Sequence, residues 1–512
     1  MFISSCITII CGFSLLSLIN KHIILSSSRF IAVFGDWRVI FDSVSVGFVG
    51  LLFLVTTFIL IFALNYLGAD ILNTQFFIVL GSFAFSIIIL IFSERIRLFF
   101  LGWDGLGISR FWLILWYQNQ KGNISGAHTF RTIRVGDLFL LLAVLFWAGY
   151  ECANIYVFTA LAPLLFVLGA ATKRAQVPFV TWLPLAIAAP TPVRALVHSS
   201  TLVTAGIYLL MRAIFFGSTI PSGLITLGAL TALLGAYCSV TEFDLKKAIA
   251  YSTLRHCGLI IYGLGINCWD LVFFHLCAHA LFKRLLFLLA GWVLSTAGGG
   301  QDLRFLGGLN STAIKIFWCI NSLIIARLPS LGVWYSKHAI LAAQGAWALS
   351  EICFILLLRA LSGVYIWRIP TWVLGNSGMK ATGNIPIKYK VYLAFHFFIG
   401  CLVLLTAPSL APELSGLIFL LGLVWIVILL PLVHWLHKTS PNWKLSAQNY
   451  VDQFTSYYLG IPRKLFESGS FEEIRESRYV ISSFRLNTSL IMIEYWTKGI
   501  LLAGFTISVL CT

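Results

Sequence analysis

His275, His279 and Lys283 stand four residues apart in one apolar stretch, a spacing with chemical meaning. Successive residues of a helix turn by about 100°, so the three line a single stripe about 12 Å long. Histidine titrates near neutrality, and a desolvated lysine can release its proton, so the stripe reads as a hydrated proton path. A histidine pair at this spacing also suits a metal, but no acid or cysteine lies near it in sequence. Asp104 and Lys173 each place a charge inside an apolar run. A lone charge at the centre of a bilayer costs at least ~2.5–3.5 kcal/mol. If the two meet at about 4 Å, their attraction is about 4 kcal/mol at an effective dielectric of 20, opposed by a comparable desolvation. That balance permits a switchable proton site, and a static ion pair is the alternative. His198, followed by Ser199, Ser200 and Thr201, could relay a proton through ordered water or be a core histidine bonded to a carbonyl. Lys337 is the counterpart of Lys173 further along the chain, with snorkelling to an interface as its alternative.

The elements that must hold these residues are membrane helices. Hydrophobic residues make up 59% of the 512, charged residues 11%, and mean hydropathy is +0.92. A soluble domain carries roughly 25% charged residues. Apolar segments lie near 3–19, 45–66, 75–93, 97–118, 136–150, 155–171, 192–215, 221–241, 247–266, 270–294, 313–335, 340–366, 391–409, 413–437 and 489–511. They are continuous rather than alternating, and a bilayer admits only helices or closed barrels, so the fold class is all-α and polytopic with about 14–15 transmembrane helices. Residues 3–19 lack a basic leader and a small-residue cleavage site, and are expected to be a first membrane helix.

Two stretches interrupt the pattern. Pro178, Pro184, Pro190 and Pro192 follow Lys173, and Arg327-Leu328-Pro329 precedes Lys337. Paired broken helices point to inverted repeats around a central site, with halves expected at about 95–215 and 221–366. The expected organisation is 1–94 as N-terminal helices, 95–366 as the repeat core, 367–437 as flanking helices, and 438–512 as a lateral amphipathic helix plus a last transmembrane helix. Ser470 with Glu473 fits a capping box at the start of that lateral helix.

The eleven cysteines are scattered without a C-x-x-C pair, which argues against zinc, iron–sulfur and disulfide frameworks. Gly298-Gly299-Gly300 is followed by no Gly-Lys-Ser/Thr and is no phosphate loop. The net charge of +16 fits basic loops and anionic lipid heads. No basic stripe on a soluble domain suggests nucleic acid.

The residues from Thr172-Lys173-Arg174-Ala175-Gln176-Val177-Pro178-Phe179 through Trp182-Leu183-Pro184 and Ala189-Pro190-Thr191-Pro192-Val193 to His198-Ser199-Ser200-Thr201-Leu202-Val203-Thr204-Ala205-Gly206 closely resemble the chain 5 family of respiratory NADH:ubiquinone oxidoreductase. Leu245-Lys246-Lys247, Tyr251-Ser252-Thr253, His279-Ala280-Leu281-Phe282-Lys283, Gln301-Asp302-Leu303-Arg304 and Tyr335-Ser336-Lys337 continue the likeness. The resemblance implies two inverted five-helix repeats, a lateral helix along neighbouring membrane chains, and proton translocation driven by quinone reduction elsewhere. It implies that Asp104 is the acidic partner and that Lys173, His198, His275, His279, Lys283 and Lys337 form the hydrophilic axis. It places NADH, FMN, iron–sulfur clusters and ubiquinone in other subunits. The implied setting is the mitochondrial inner membrane, among antiporter-like neighbours, accessory subunits and lipids such as cardiolipin.

The chain departs from that pattern in places. One apolar segment precedes Trp37 where the family usually has two, and His338 stands where an acid commonly follows the last lysine. Arg327 occupies a usually small position, and Arg174, Arg194 and Arg255 stand where Ser is typical. Acidic neighbour subunits or lipid phosphates are the expected partners of these last three. Four Met beside abundant Ile fit a genetic code without the animal reassignment of an Ile codon to Met. The runner-up reading is a subunit of a multisubunit cation/proton antiporter without redox coupling, and a third is a structural membrane chain whose axis is vestigial.

Overall fold

The computed structural model describes residues 23–27, 37–67, 73–94, 96–148, 155–197, 202–215, 223–296, 300–306, 312–326 and single positions between 336 and 373. The expected first helix at 3–19, His198, the break at Arg327-Leu328-Pro329, His338, and the flanking, lateral and last helices beyond 373 lie outside the described residues.

Two short strands, β1 (Ile23–Ser27) and β2 (Trp37–Phe41), pair antiparallel ahead of the helices, with Leu25 opposite Val39. This ribbon carries no signal of period two strong enough to stand out from the apolar background. The remaining described elements are helical, as a chain that must satisfy its own backbone in lipid requires. They are α1 (Ser43–Tyr66), α2 (Asn73–Phe92), α3 (Ile96–Ile114), α4 (Gln120–Ala148) and α5 (Ile155–Lys173). A short α6 (Trp182–Leu185) and α7 (Thr191–Val197) come next. Then follow α8 (Leu202–Phe215), α9 (Gly223–Thr241), α10 (Leu245–Gly265), α11 (Trp269–Thr296) and α12 (Thr312–Ala326). Among the described residues, Val44–Leu64, Thr74–Phe92, Gly223–Thr241 and Trp269–Ser295 are each long and apolar enough to cross a membrane.

The expected first break is present. The helical path stops at Lys173, and Ala175 takes a left-handed φ of 55°. Four prolines then confine the chain to one short helix, a 3-10 turn at Ala186–Ala188, and α7. The freed backbone is satisfied inside the protein: Trp182 Nε1 donates to the Thr172 carbonyl at 2.6 Å. Charge ties the start of α1 to α8, Arg212 of α8 pairing with Asp42.

Neighbouring helices meet through small residues, which let backbones approach where no hydrophobic force separates helix from lipid. At the α9–α10 contact, a Cβ on Gly258 would lie 2.4 Å from Ala232 N, and one on Gly228 would lie 2.5 Å from Tyr262 N. At the α4–α5 contact, a Cβ on Gly136 would collide with the Thr172 side chain. Gly258→Leu is therefore expected to force α9 and α10 apart at a cost of about 1–3 kcal/mol, read as a lower melting temperature of the detergent-solubilised protein.

Candidate functional site

The first cluster forms where α3, α4 and α5 converge. Glycines in α4 and α5 bring these helices close enough that Lys173, the last residue of α5, reaches across to α3. Its side chain is fully buried. Lys173 Nζ donates to the Trp103 carbonyl at 2.7 Å, sits 3.6 Å from the centre of the Trp103 ring, and lies 4.0 Å from Asp137 Oδ1. Trp103 Nε1 donates to the same Asp137 oxygen at 2.7 Å. The acid beside Lys173 is thus Asp137 of α4.

Asp104 joins this cluster at one remove. Arg134 Nη1 donates to Asp104 Oδ1 at 3.0 Å and to Asp137 Oδ2 at 3.3 Å, so one guanidinium bridges the two carboxylates. The Asp104 side chain is 33% exposed whereas that of Asp137 is 9% exposed. Asp104 stands out in the sequence because it interrupts a long apolar run. Asp137 does not stand out, because Arg131, Thr132 and Arg134 make its surroundings look like an ordinary polar helix end. A signal was available: Arg134 and Asp137 are i, i+3 on one helix and face one way.

The second cluster lies between α10 and α11. His275, His279 and Lys283 are buried along one stripe of α11, as their spacing requires. Lys283 donates to Ser252 Oγ, which bonds to the Tyr365 hydroxyl at 2.9 Å. His275 Nδ1 is 2.7 Å from Ser336 Oγ, and His275 Nε2 is 3.3 Å from Nδ1 of His256 on α10. Lys337 is buried, with Nζ 3.4 Å from the Ile325 carbonyl of α12. His256, Ser252 and Tyr365 are additions of the structure to the residues expected from sequence. His256 sits between Arg255 and Cys257 with no spacing motif of its own, so only the α10–α11 contact reveals it.

The broken segment connects the two clusters. Arg174 Nη2 donates to the Cys257 carbonyl of α10 at 3.1 Å, and Thr231 of α9 donates to Gln176 Oε1 at 2.6 Å. The chain leaving Lys173 is therefore fastened directly to the helix that carries Ser252 and His256. Among the described residues, no three His, Cys, Asp or Glu side chains converge to hold a metal ion.

The buried arginines correct one expectation. Arg174, Arg194 and Arg255 are 0%, 3% and 1% exposed. Burial inside the chain's own core keeps them from acidic neighbours and lipid phosphates. Their partners are internal: the Cys257 carbonyl, the Ala189 carbonyl and the His256 ring. Arg110 of α3 is buried too, 3.8 Å above the Trp182 ring.

The chain is similar to known proteins. The family described as NADH:quinone oxidoreductase/Mrp antiporter, transmembrane, matches residues 93–363, which contain the first cluster and all of the second but Tyr365. NADH-ubiquinone oxidoreductase chain 5 of Aedes aegypti is 37% identical over 361 residues, 65% of this chain and 61% of that one. The chain of the same name from Anopheles arabiensis is 38% identical over 316 residues, 59% of this chain and 82% of that one. The match thus spans under two thirds of the Aedes chain. Among solved structures, the Mrp complex from Dietzia sp. DQ12-45-1b superposes with a TM-score of 0.73 at 22% identity, covering 97% of this chain and 60% of that one. The membrane-bound sulfane sulfur reductase, an archaeal respiratory membrane complex, gives a TM-score of 0.70 at 18% identity, covering 83% of this chain and 91% of that one. At those identities the likeness is one of fold.

Proposed function

This chain belongs to the NADH:quinone oxidoreductase/Mrp antiporter transmembrane family, and from that premise we propose that it is a proton-translocating membrane-arm subunit of a respiratory NADH:ubiquinone oxidoreductase. The observation that carries the reading is a fully buried lysine, Lys173, whose carboxylate partner Asp137 is shared with Arg134. A buried lysine keeps its proton while a carboxylate faces it and loses it when that carboxylate is drawn away. Arg134 offers Asp137 an alternative partner within 3.3 Å, so a small shift of α4 against α5 changes which cation the acid neutralises. Asp104 completes the exchange by neutralising Arg134 when Asp137 turns to Lys173.

The row of α11, Lys283, His279 and His275, then carries the proton onward to Lys337, with His198 as a further station that the resemblance supplies. The chain itself holds no redox group in this reading. NADH, FMN, iron–sulfur clusters and ubiquinone act in other subunits, and the chain works in the mitochondrial inner membrane among antiporter-like neighbours, accessory subunits and cardiolipin. The repeat core at 95–366 is the unit that performs the transfer.

The fold serves a cation/proton antiporter subunit equally well, since the Mrp complex superposes over nearly the whole chain. Identity of 37–38% with chains named for NADH-ubiquinone oxidoreductase favours the redox-driven complex. The experiment is proton translocation per electron in inner-membrane vesicles oxidising NADH, for the native chain and Lys173→Ala. A clear fall with assembly intact supports the proposal. A complex that purifies without flavin-bearing partners, or an unchanged ratio in Lys173→Ala, sinks it.

A further inference from the structure

We infer that His256 joins His275 and Ser336 into a directional proton wire that delivers protons from the Lys283–His279 end of the site to Lys337, an inference that rests on the pumping role proposed above. His256 lies on α10, its ring 2% exposed as a whole residue, and faces two histidines of α11 at once. Its ring centre is 5.4 Å from that of His275 and 4.9 Å from that of His279. It also meets a neighbouring cation: Arg255 Nη2 lies 3.2 Å from His256 Nε2, and His256 Nδ1 lies 3.3 Å from His275 Nε2.

The direction follows from the chemistry of the groups. A guanidinium has donors and no acceptor, so the neutral His256 ring must accept at Nε2 and carry its hydrogen on Nδ1. That hydrogen points at His275 Nε2, which must accept, placing the hydrogen of His275 on Nδ1. Nδ1 of His275 in turn faces Ser336 Oγ at 2.7 Å. Every donor along Arg255, His256 and His275 therefore points the same way, toward Ser336. The residue after Ser336 is the buried Lys337.

Transfer through such a wire is balanced. A proton arriving at His256 Nε2, after Arg255 swings off it, makes the ring a cation. The ring releases its Nδ1 hydrogen to His275 Nε2, and His275 releases its own Nδ1 hydrogen to Ser336 Oγ. The serine passes its original hydroxyl hydrogen onward, with the Lys337 amine as the base at the end. One proton enters, one leaves, and both rings must turn over before the next. His279 is placed to feed the wire: its Nε2 is buried and has no hydrogen-bond partner. The charged and titratable groups that face His256 include His275, His279, Lys337, Arg255 and Lys283, all basic. Their mutual repulsion limits the wire to a single excess proton and favours its departure.

The test is His256→Gln in the assembled complex, with Lys173→Ala as control and assembly checked by the yield of intact complex. Glutamine keeps a hydrogen bond across the α10–α11 contact but cannot accept a proton on one side and release one on the other. The expected result is a loss of protons per electron as large as that of Lys173→Ala, with NADH oxidation by uncoupled vesicles retained. His256→Glu, which can again pick up and release a proton, is expected to recover part of the ratio. An unchanged ratio in His256→Gln beside a reduced one in Lys173→Ala overturns the wire and leaves the pumping role standing. An unchanged ratio in both overturns the two together. If His256→Gln fails to assemble, His256→Asn and His256→Glu give the comparison, and equal ratios in these two overturn the wire.

Discussion

Asp137→Ala is expected to abolish proton translocation and to lower the stability of the chain by about 3–5 kcal/mol. The size follows from asymmetry. Lys173 is fully buried and keeps only the Trp103 carbonyl and ring once Asp137 is gone, so its charge is left uncompensated. Asp104→Ala is expected to separate the two effects. The Asp104–Arg134 pair is about one third exposed on both sides, and such pairs contribute about 0.2–1 kcal/mol. Translocation nevertheless falls in Asp104→Ala, because Arg134 then holds Asp137 without competition and the carboxylate no longer exchanges between two cations. Melting temperature and protons per electron, measured on both variants, check this. Adding Lys173→Met to Asp137→Ala removes the stranded charge, so stability recovers while translocation does not. Equal stability losses in the two aspartate variants would show that the pairing along Asp104, Arg134, Asp137 and Lys173 does not govern the site.

The sequence made the membrane class and most helices legible for a simple physical reason: lipid leaves a chain almost no choice of backbone. Observed α9 to α11 begin and end within about three residues of the apolar segments. The break after Lys173 was equally visible, because prolines cannot hide. Side-chain partnerships were harder. Lys173 and Asp104 are each conspicuous as charges in apolar runs, whereas Asp137, whose neighbours are polar, is not. His256 shows the same failure. The pattern along α11 identifies three residues of one stripe, but a residue contributed by a neighbouring helix enters the site through the α10–α11 contact, which periodicity within one segment does not encode. The depth of the arginines was also out of reach. A basic residue beside a loop looks exposed until the loop is found folded into the core.

Those arginines lead to the second large effect: Arg110→Ser, Arg174→Ser and Arg194→Ser are each expected to stabilise the chain. Every one of them is buried, and each leaves donors without a partner: Nε, Nη1 and Nη2 of Arg110, and Nε and Nη1 of Arg174 and Arg194. An unmet buried donor costs about 1–3 kcal/mol, more on a charged group, and an intramembrane arginine adds at least ~2.5 kcal/mol on the mildest scale. Serine removes both penalties. The space it opens at 174 and 194 is faced by the Cys257 and Ala189 carbonyls, so water can fill it with partners to hand. Arg212 and Arg134 behave oppositely, since each meets a carboxylate, and serine there is expected to destabilise. Melting temperatures of the five variants in detergent decide the point. A drop in Arg174→Ser comparable to that in Arg212→Ser would mean that carbonyls and packing alone satisfy a buried guanidinium. The same physics that makes Lys173 useful, a cation that burial disfavours and one carboxylate retains, makes a cation without a carboxylate a burden the fold is better without.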